Sequence, residues 1–231
     1  MQVNSLAANH TLYPKRAYDT LRDFVPVVLV GSTPNVLVMH PSIPANSVKE
    51  FVALAQKKPD SISYASSGVG GASFLAAEYF KMLTGVQILH IPYKGTGPAL
   101  RAMLGGEVQT MIAAAPGTIA FIKGGQLKAL GVTGAKRWPV MPELPTLAEA
   151  GVKGYEFETW YALFVPGGTP RGVVTKINTT VNAMLDAPEV KAQFQRGGVQ
   201  PAGGTQESFT TYFRNEIEKL GKVIRVTGAK P

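Results

Sequence analysis

Ile62-Ser63-Tyr64-Ala65-Ser66-Ser67-Gly68-Val69-Gly70-Gly71-Ala72-Ser73 decides the fold class. Ile62–Ala65 is a short β-prone run, and a loop of glycine and serine follows it. An amphipathic helix is then expected to about Leu83, with Gly85 as its left-handed stop. The same unit recurs downstream in architecture, though not in sequence. Val86–Ile91 is the next expected strand, followed by Tyr93-Lys94-Gly95-Thr96-Gly97, with Pro98 suited to a first helical turn. That helix ends near Gly105-Gly106. Val108–Ala114 leads through Pro116 into a helix closing at Gly124-Gly125, and Leu127–Thr133 is a fourth strand. Strands and helices alternating over short connections predict an α/β fold with a parallel sheet and right-handed crossovers.

The flanks carry the same code. Val25–Val30 and Asn35–His40 read as two strands separated by the turn-like Gly31-Ser32-Thr33-Pro34. Ser47-x-x-Glu50 is a capping box opening a helix whose apolar face is Val48, Phe51, Val52 and Ala55. Gly134–Gly154 is irregular, and Trp160–Val165 is a further strand ended by Pro166-Gly167-Gly168-Thr169-Pro170. The next helix sets Val174, Ile177, Val181, Met184 and Leu185 on one side. A long last helix from Thr205 carries Phe209, Phe213, Ile217, Leu220 and Ile224 inward.

Composition narrows the function. With 45% hydrophobic and 16% charged residues, the chain has apolar mass for a sizeable core. No stretch approaches the ~18–20 apolar residues of a membrane span, and the opening MQVNSLAANHTLYPKR lacks a basic stretch followed by an apolar one. The absence of cysteine excludes disulfides, thiolate metal sites and cysteine nucleophiles. The net charge of +8 is spread in pairs such as Lys15-Arg16, Lys57-Lys58 and Lys136-Arg137. That pattern disfavours nucleic acid and suits a basic surface attracting anionic ligands.

In an open α/β sheet, ligands sit beyond the carboxyl ends of the strands, where loops enter helix N-termini. Glycine lets the backbone approach closely, and hydroxyls with unpaired N–H groups hold an anion without a formal charge. Ser66, Ser67, Gly68, Gly70, Gly71 and Ser73 fit first, and Gly95, Thr96 and Gly97 second, with Tyr93 and Lys94 adding a ring and a charge. The plain alternative is that both loops are only tight turns and helix caps. Nucleotide motifs fail: Gly68–Ser73 lacks the third glycine of G-x-G-x-x-G, and His90 stands where an acid would end the next strand. His10, His40 and His90 read as structural, Glu156 and Glu158 as the exposed side of a strand, and Trp160, Tyr161 and Phe164 as core or cleft wall. No catalytic residue, metal ligand or cofactor is expected.

The whole pattern resembles the Bug family, periplasmic receptors of tripartite tricarboxylate transporters. The resemblance rests on Leu12-Tyr13-Pro14-Lys15 with Tyr18-Asp19, Asp23-Phe24-x-Pro26-Val27, Pro34–Val38 with His40-Pro41, and Tyr64-Ala65-Ser66-Ser67-Gly68-x-Gly70. It continues through His90–Gly95, Gly131–Arg137, Pro145-Thr146-x-x-Glu149-Ala150-Gly151 and Pro166-x-Gly168-Thr169-Pro170, in order and at matching spacing. It implies a type II periplasmic-binding-protein fold, two α/β lobes around a cleft, with residues 1–42 and 166–231 in lobe one and 43–165 in lobe two. It also implies a solute-binding receptor in the periplasm that takes a small carboxylate and works with membrane transporter subunits. Ser66, Ser67, Gly68, Ser73, Tyr93, Gly95 and Thr96 are the cleft candidates, with Asn4, Ser5 and Asn9 weaker ones from lobe one.

Family members carry a strand–loop–helix–strand segment before the part that Met1–His10 resembles. The resemblance therefore implies an incomplete first lobe, half a binding site and self-association through exposed apolar surface. Two other readings stay open on the residues alone: an α/β enzyme acting on a small organic acid, and a sensor or interaction protein with this fold.

Overall fold

The structure is a computed structural model, and it describes Met1 and Val3–Pro231. Its elements are α1 (Asn4–Leu12), β1 (Phe24–Met39), α2 (Val48–Lys57), β2 (Ser63–Ser66), α3 (Ala72–Thr84), β3 (Leu89–Pro92), α4 (Thr96–Leu104), β4 (Thr110–Ala114) and α5 (Ile119–Lys123). The chain continues with β5 (Lys128–Val132), β6 (Glu158–Pro166), α6 (Arg171–Asp186), α7 (Pro188–Arg196), β7 (Gln200–Pro201) and α8 (Gln206–Thr227).

Two expected strands are one. β1 runs unbroken for 16 residues through Gly31-Ser32-Thr33-Pro34. Gly31 is there for close approach rather than for a turn: a Cβ on it would lie 2.7 Å from the Gln200 carbonyl oxygen of β7. Pro34 falls where β1 changes partners, so its missing N–H costs little of the ladder. From Phe24 to Pro34 the strand pairs antiparallel with β6, and at Gly31–Ser32 also with β7. From Asn35 to Met39 it lies antiparallel between β4 and β5.

The sheet is therefore mixed, not parallel. Its main path is β3-β2-β4-β1-β5, in which only β2 with β3 and β2 with β4 are parallel. Asn35–Met39, assigned from sequence to lobe one, is hydrogen-bonded into the sheet of residues 43–165. The physical reason is burial on both faces: Val36, Leu37, Val38 and Met39 are at most 2% exposed, as a central strand requires.

A second crossing meets the first at this point. Asn35 N–H donates to Thr133 Oγ1 at 2.7 Å and Thr133 N–H to the Asn35 carbonyl at 2.9 Å. Phe157 N–H returns to the Thr133 carbonyl at 2.9 Å, and Thr159 Oγ1 donates to Asn35 Oδ1 at 3.1 Å.

Helices cover both faces. α2, α3, α8 and α1 share one apolar cluster through Phe51, Phe80, Trp160, Phe213 and Leu6. α4 and α5 cover the other face of β2, β4 and β1 around Met103, Met111 and Trp138. α6 packs Val174 and Ile177 on Val27, Val28 and Leu163, whereas Met184, expected on that face, is exposed. Each fully buried Phe contributes roughly 1.5–3 kcal/mol of transfer free energy. The local signals hold: Gly85 ends α3 in the left-handed region at φ 69° and Thr205 Oγ1 caps α8. Ser47 caps α2, but the Glu50 carboxylate reaches the N–H of Asn46 rather than of Ser47.

Residues distant in sequence also meet tightly beside the crossing. Gly198 sits at φ 67°, and a Cβ there would lie 2.7 Å from Trp138 Cζ2 and 3.1 Å from Pro116 Cγ. Gly198→Ala should therefore lower stability by about 1–3 kcal/mol. An unchanged urea midpoint would show that Trp138 yields without cost.

Candidate functional site

The glycine–serine loop joins β2 to α3. β2 ends at Ser66, and α3 begins after Gly71, whose lack of a side chain leaves the first turn without a cap. Some of the loop's polarity is spent internally. Ser67 N–H donates to Ser73 Oγ at 2.8 Å, Gly71 N–H to the Gly68 carbonyl at 3.1 Å, and Gly68 N–H to Ser66 Oγ at 3.1 Å. The N–H groups of Val69, Gly70, Ala72, Ser73 and Phe74 have no protein partner among the described residues. Unpaired donors at the positive end of a helix are what a carboxylate binds.

The second loop is tied to the first. Tyr93 N–H donates to the Ser66 carbonyl at 3.0 Å, and Gly95 N–H to that of Ser67 at 3.2 Å. Gly95, at φ 106°, precedes α4 and also gives it no side-chain cap. The N–H groups of Thr96 and Gly97 have no partner among the described residues. Two uncapped helix N-termini thus stand side by side, joined by backbone bonds.

The expected residues divide into three groups. Ser67, Gly68, Gly70, Ser73, Gly95 and Thr96 come together here. Ser66 is fully buried, its hydroxyl committed to His90 and Gly68, so it supports the loop from behind. Tyr93 packs against the α4 core, and Lys94 is exposed. From α1, Asn9 reaches the loop: a Cβ on Gly70 would lie 3.6 Å from Asn9 Oδ1 and 3.0 Å from Leu12 Cδ2. Asn4 does not. It is buried, donating to the Glu158 carbonyl and accepting from Trp160 N–H, as a cap on the start of β6. Glu158 accepts a hydrogen bond from the Ser32 hydroxyl, and Trp160 is core.

Sequence reasoning did not read Leu12 as a wall of the loop, nor did it name the partner of His90. His90 is a satisfied histidine, as expected, and its Nε2 lies 2.6 Å from Ser66 Oγ. The available signal was the parallel pairing of β2 with β3, which sets Tyr64 beside His90. The imidazole stacks on Tyr64, centroids 4.8 Å apart, and contacts Phe74 at 4.8 Å. Burial pushes its pKa below the usual 6.5, against the nearby Glu78 carboxylate, which raises it. Among the described residues no group of three or more His, Asp or Glu is placed to hold a metal.

A cavity of about 540 Å³ adjoins this region. Asn9 and Leu12 line it together with Tyr13, Pro14, Lys15, Arg16, Tyr18 and Pro231.

A base held neutral by burial binds fewer protons folded than unfolded. Stability from this source is complete above the unfolded pKa of about 6.5 and is lost as pH falls toward the lower folded value. Urea midpoints of the wild type should thus fall between pH 7.5 and pH 5 relative to those of His90→Gln. Parallel curves would mean that the imidazole is not desolvated.

The sequence profile of the family described as "Tripartite tricarboxylate transporter family receptor" (TctC) matches residues 1–229. A Pseudomonas sp. protein of the tcbD-tcbE intergenic region is 36% identical over 220 residues, 95% of this chain and 66% of that protein. The chain spans about two thirds of the length of the curated relatives it matches. An R. palustris protein solved with adipate is 36% identical, with a TM-score of 0.90 over all of this chain and 77% of its own. The periplasmic binding protein BugD is 30% identical, with a TM-score of 0.87 over 99% of this chain and 77% of its own.

Proposed function

This chain belongs to the tripartite tricarboxylate transporter family of receptors, and from that premise we propose that it captures a small carboxylate for such a transporter. The observation that carries the reading is the pair of uncapped helix N-termini at Gly71 and Gly95, cross-linked by the Gly95-to-Ser67 hydrogen bond. One carboxylate accepts from a subset of the free N–H groups of Val69, Gly70, Ala72, Ser73, Phe74 and Thr96, with the Ser67 and Ser73 hydroxyls beside it. The structural relative solved with adipate supports a diacid with an aliphatic stem. The apolar wall of Leu12, Tyr13 and Tyr18 suits that stem, and Lys15 beside it suits the far carboxylate.

Function follows from the crossing strands. β1 and the connection from Thr133 to Phe157 join two lobes. A ligand bridging α1 and the two loops favours the closed arrangement because it makes more contacts there. The family is one of receptors, so the Ser66–His90 contact belongs to the binding loop and is not a nucleophile with its base. The likeness to BugD supports a periplasmic setting beside the transporter's membrane subunits. Exposed Leu21, Val173 and Met184 on lobe one support self-association. Sedimentation showing only a monomer at tens of micromolar would remove that last point.

Thermal unfolding against a panel of dicarboxylates, tricarboxylates, amino acids and aromatic acids tests the main reading. At about a hundred times its dissociation constant, a bound acid stabilises the folded chain by roughly 2.7 kcal/mol. A shift with adipate that Gly70→Ala abolishes is the expected result, because the added methyl meets Leu12 at 3.0 Å. A folded chain stabilised by no acid of the panel would sink the carboxylate reading.

A further inference from the structure

We propose that His90 is a positioning residue for anion capture: on protonation it donates to the Ser66 hydroxyl oxygen, loosens the hold of that oxygen on the Gly68 N–H and sets a positive charge behind the loop. This rests on the carboxylate-receptor reading above. No Lys or Arg side chain hydrogen-bonds the Ser66–Ser73 loop among the described residues, and His90 is the titratable side chain that does, at 2.6 Å from Ser66 Oγ.

Proton bookkeeping at Ser66 gives the mechanism. With neutral His90, Nε2 is an acceptor, so Ser66 O–H donates to it, and a lone pair on Oγ remains for Gly68 N–H at 3.1 Å. The Ser66 hydroxyl and the Gly68 N–H are then both paired internally, and Gly68 offers nothing to a ligand. With protonated His90, Nε2–H donates to Ser66 Oγ in a charge-assisted bond, roughly twice as strong as a neutral one. Ser66 Oγ has lone pairs for both donors, but two donors on one oxygen weaken each other, so the bond from Gly68, the weaker donor, is loosened and its N–H is more readily turned to an anion. The imidazolium also stands two hydrogen bonds behind that N–H, where burial limits screening.

The surroundings hold His90 neutral until an anion arrives. Tyr64 of β2 stacks on one side of the ring and Phe74 of α3 lies against it. The charged groups that act on it are Glu78 and Lys81 of α3, themselves paired at 2.8 Å, while Tyr64 OH donates to Glu78 at 2.6 Å. Burial lowers the imidazole pKa, Glu78 opposes this and Lys81 adds to it. An anion at the loop reverses the balance, so binding takes up a proton and the coupling is reciprocal.

Calorimetry of adipate binding from pH 8 to pH 5.5 tests this on wild type, His90→Gln and His40→Gln. Glutamine keeps a neutral amide N–H near the position of Nε2 but does not titrate, so it also reports the ligand's own ionisation. The expected result is an affinity ratio of wild type to His90→Gln that rises on the order of tenfold as pH falls. His40→Gln should follow wild type. In the wild type alone, adipate should move the His90 ring titration seen by NMR upward by about one pH unit, a readout that needs no variant to fold. Ser66→Ala, which removes the relay, should flatten the pH dependence. Adipate binding with parallel pH profiles, or an unmoved His90 midpoint in its presence, overturns the proposal and leaves the receptor reading intact. A folded wild type that binds no acid of the panel at any pH overturns both.

Discussion

The rest of the structure hangs on the unbroken course of β1 through two sets of partners. An exposed strand edge leaves backbone N–H and C=O groups unpaired, and burying them unpaired is costly. β1 avoids this by giving its first half to β6 and β7 and its second half to β4 and β5. The change of partner occurs at Pro34–Asn35, where Asn35 and Thr133 exchange hydrogen bonds and Thr159 adds a third. This small polar knot is buried, and it holds the two crossing segments in fixed register. β4 then takes its place beside β1, and β2 beside β4, which sets the glycine–serine loop at the carboxyl end of β2.

The binding loop follows the same logic in reverse. Here the chain leaves donors unpaired at a surface instead of satisfying them. A serine or threonine at the N-cap of α3 or α4 would fill the first turn from within, and both positions are glycine. Some local stability is forgone, since a side-chain cap contributes about 1 kcal/mol. In exchange the helix ends stay open to an oxygen from outside. The internal bonds, Ser67 N–H to Ser73 and Gly95 N–H to Ser67, hold the loop still so that the open donors point consistently.

Much of this was legible from the residues. The helices from α2 to α6, the Ser47, Gly85 and Thr205 stops and starts, and the inward face of α8 were expected, because each depends on residues within a turn of one another, whereas α1 and α7 were not. Both site loops were legible for the same reason: glycine and serine between a β run and an amphipathic helix restrict what the backbone can do. Asn9 was named as a candidate, and its place against Gly70 is tertiary. The failures share a cause. Gly31 and Pro34 look like a turn in isolation, and only the approach of β7 and the change of partners explain them in a strand. Asn4 looked like a cleft residue because asparagine serves equally well as a ligand donor or as a cap on a strand edge.

The sequence by itself determined the family, the order of elements from α2 to β5, the two glycine-rich loops and the absence of cysteine chemistry. Periodicity, caps and glycine spacing are local, and they act through backbone torsions that neighbouring residues control. The tertiary structure alone decided that β1 stands between β4 and β5, that Ser66 faces inward, and that His90 is the side chain hydrogen-bonded to it. Apolar strand edges are chemically alike, so which edge meets which depends on how the whole core closes. A histidine 24 positions from a serine becomes its partner only once β2 and β3 lie side by side.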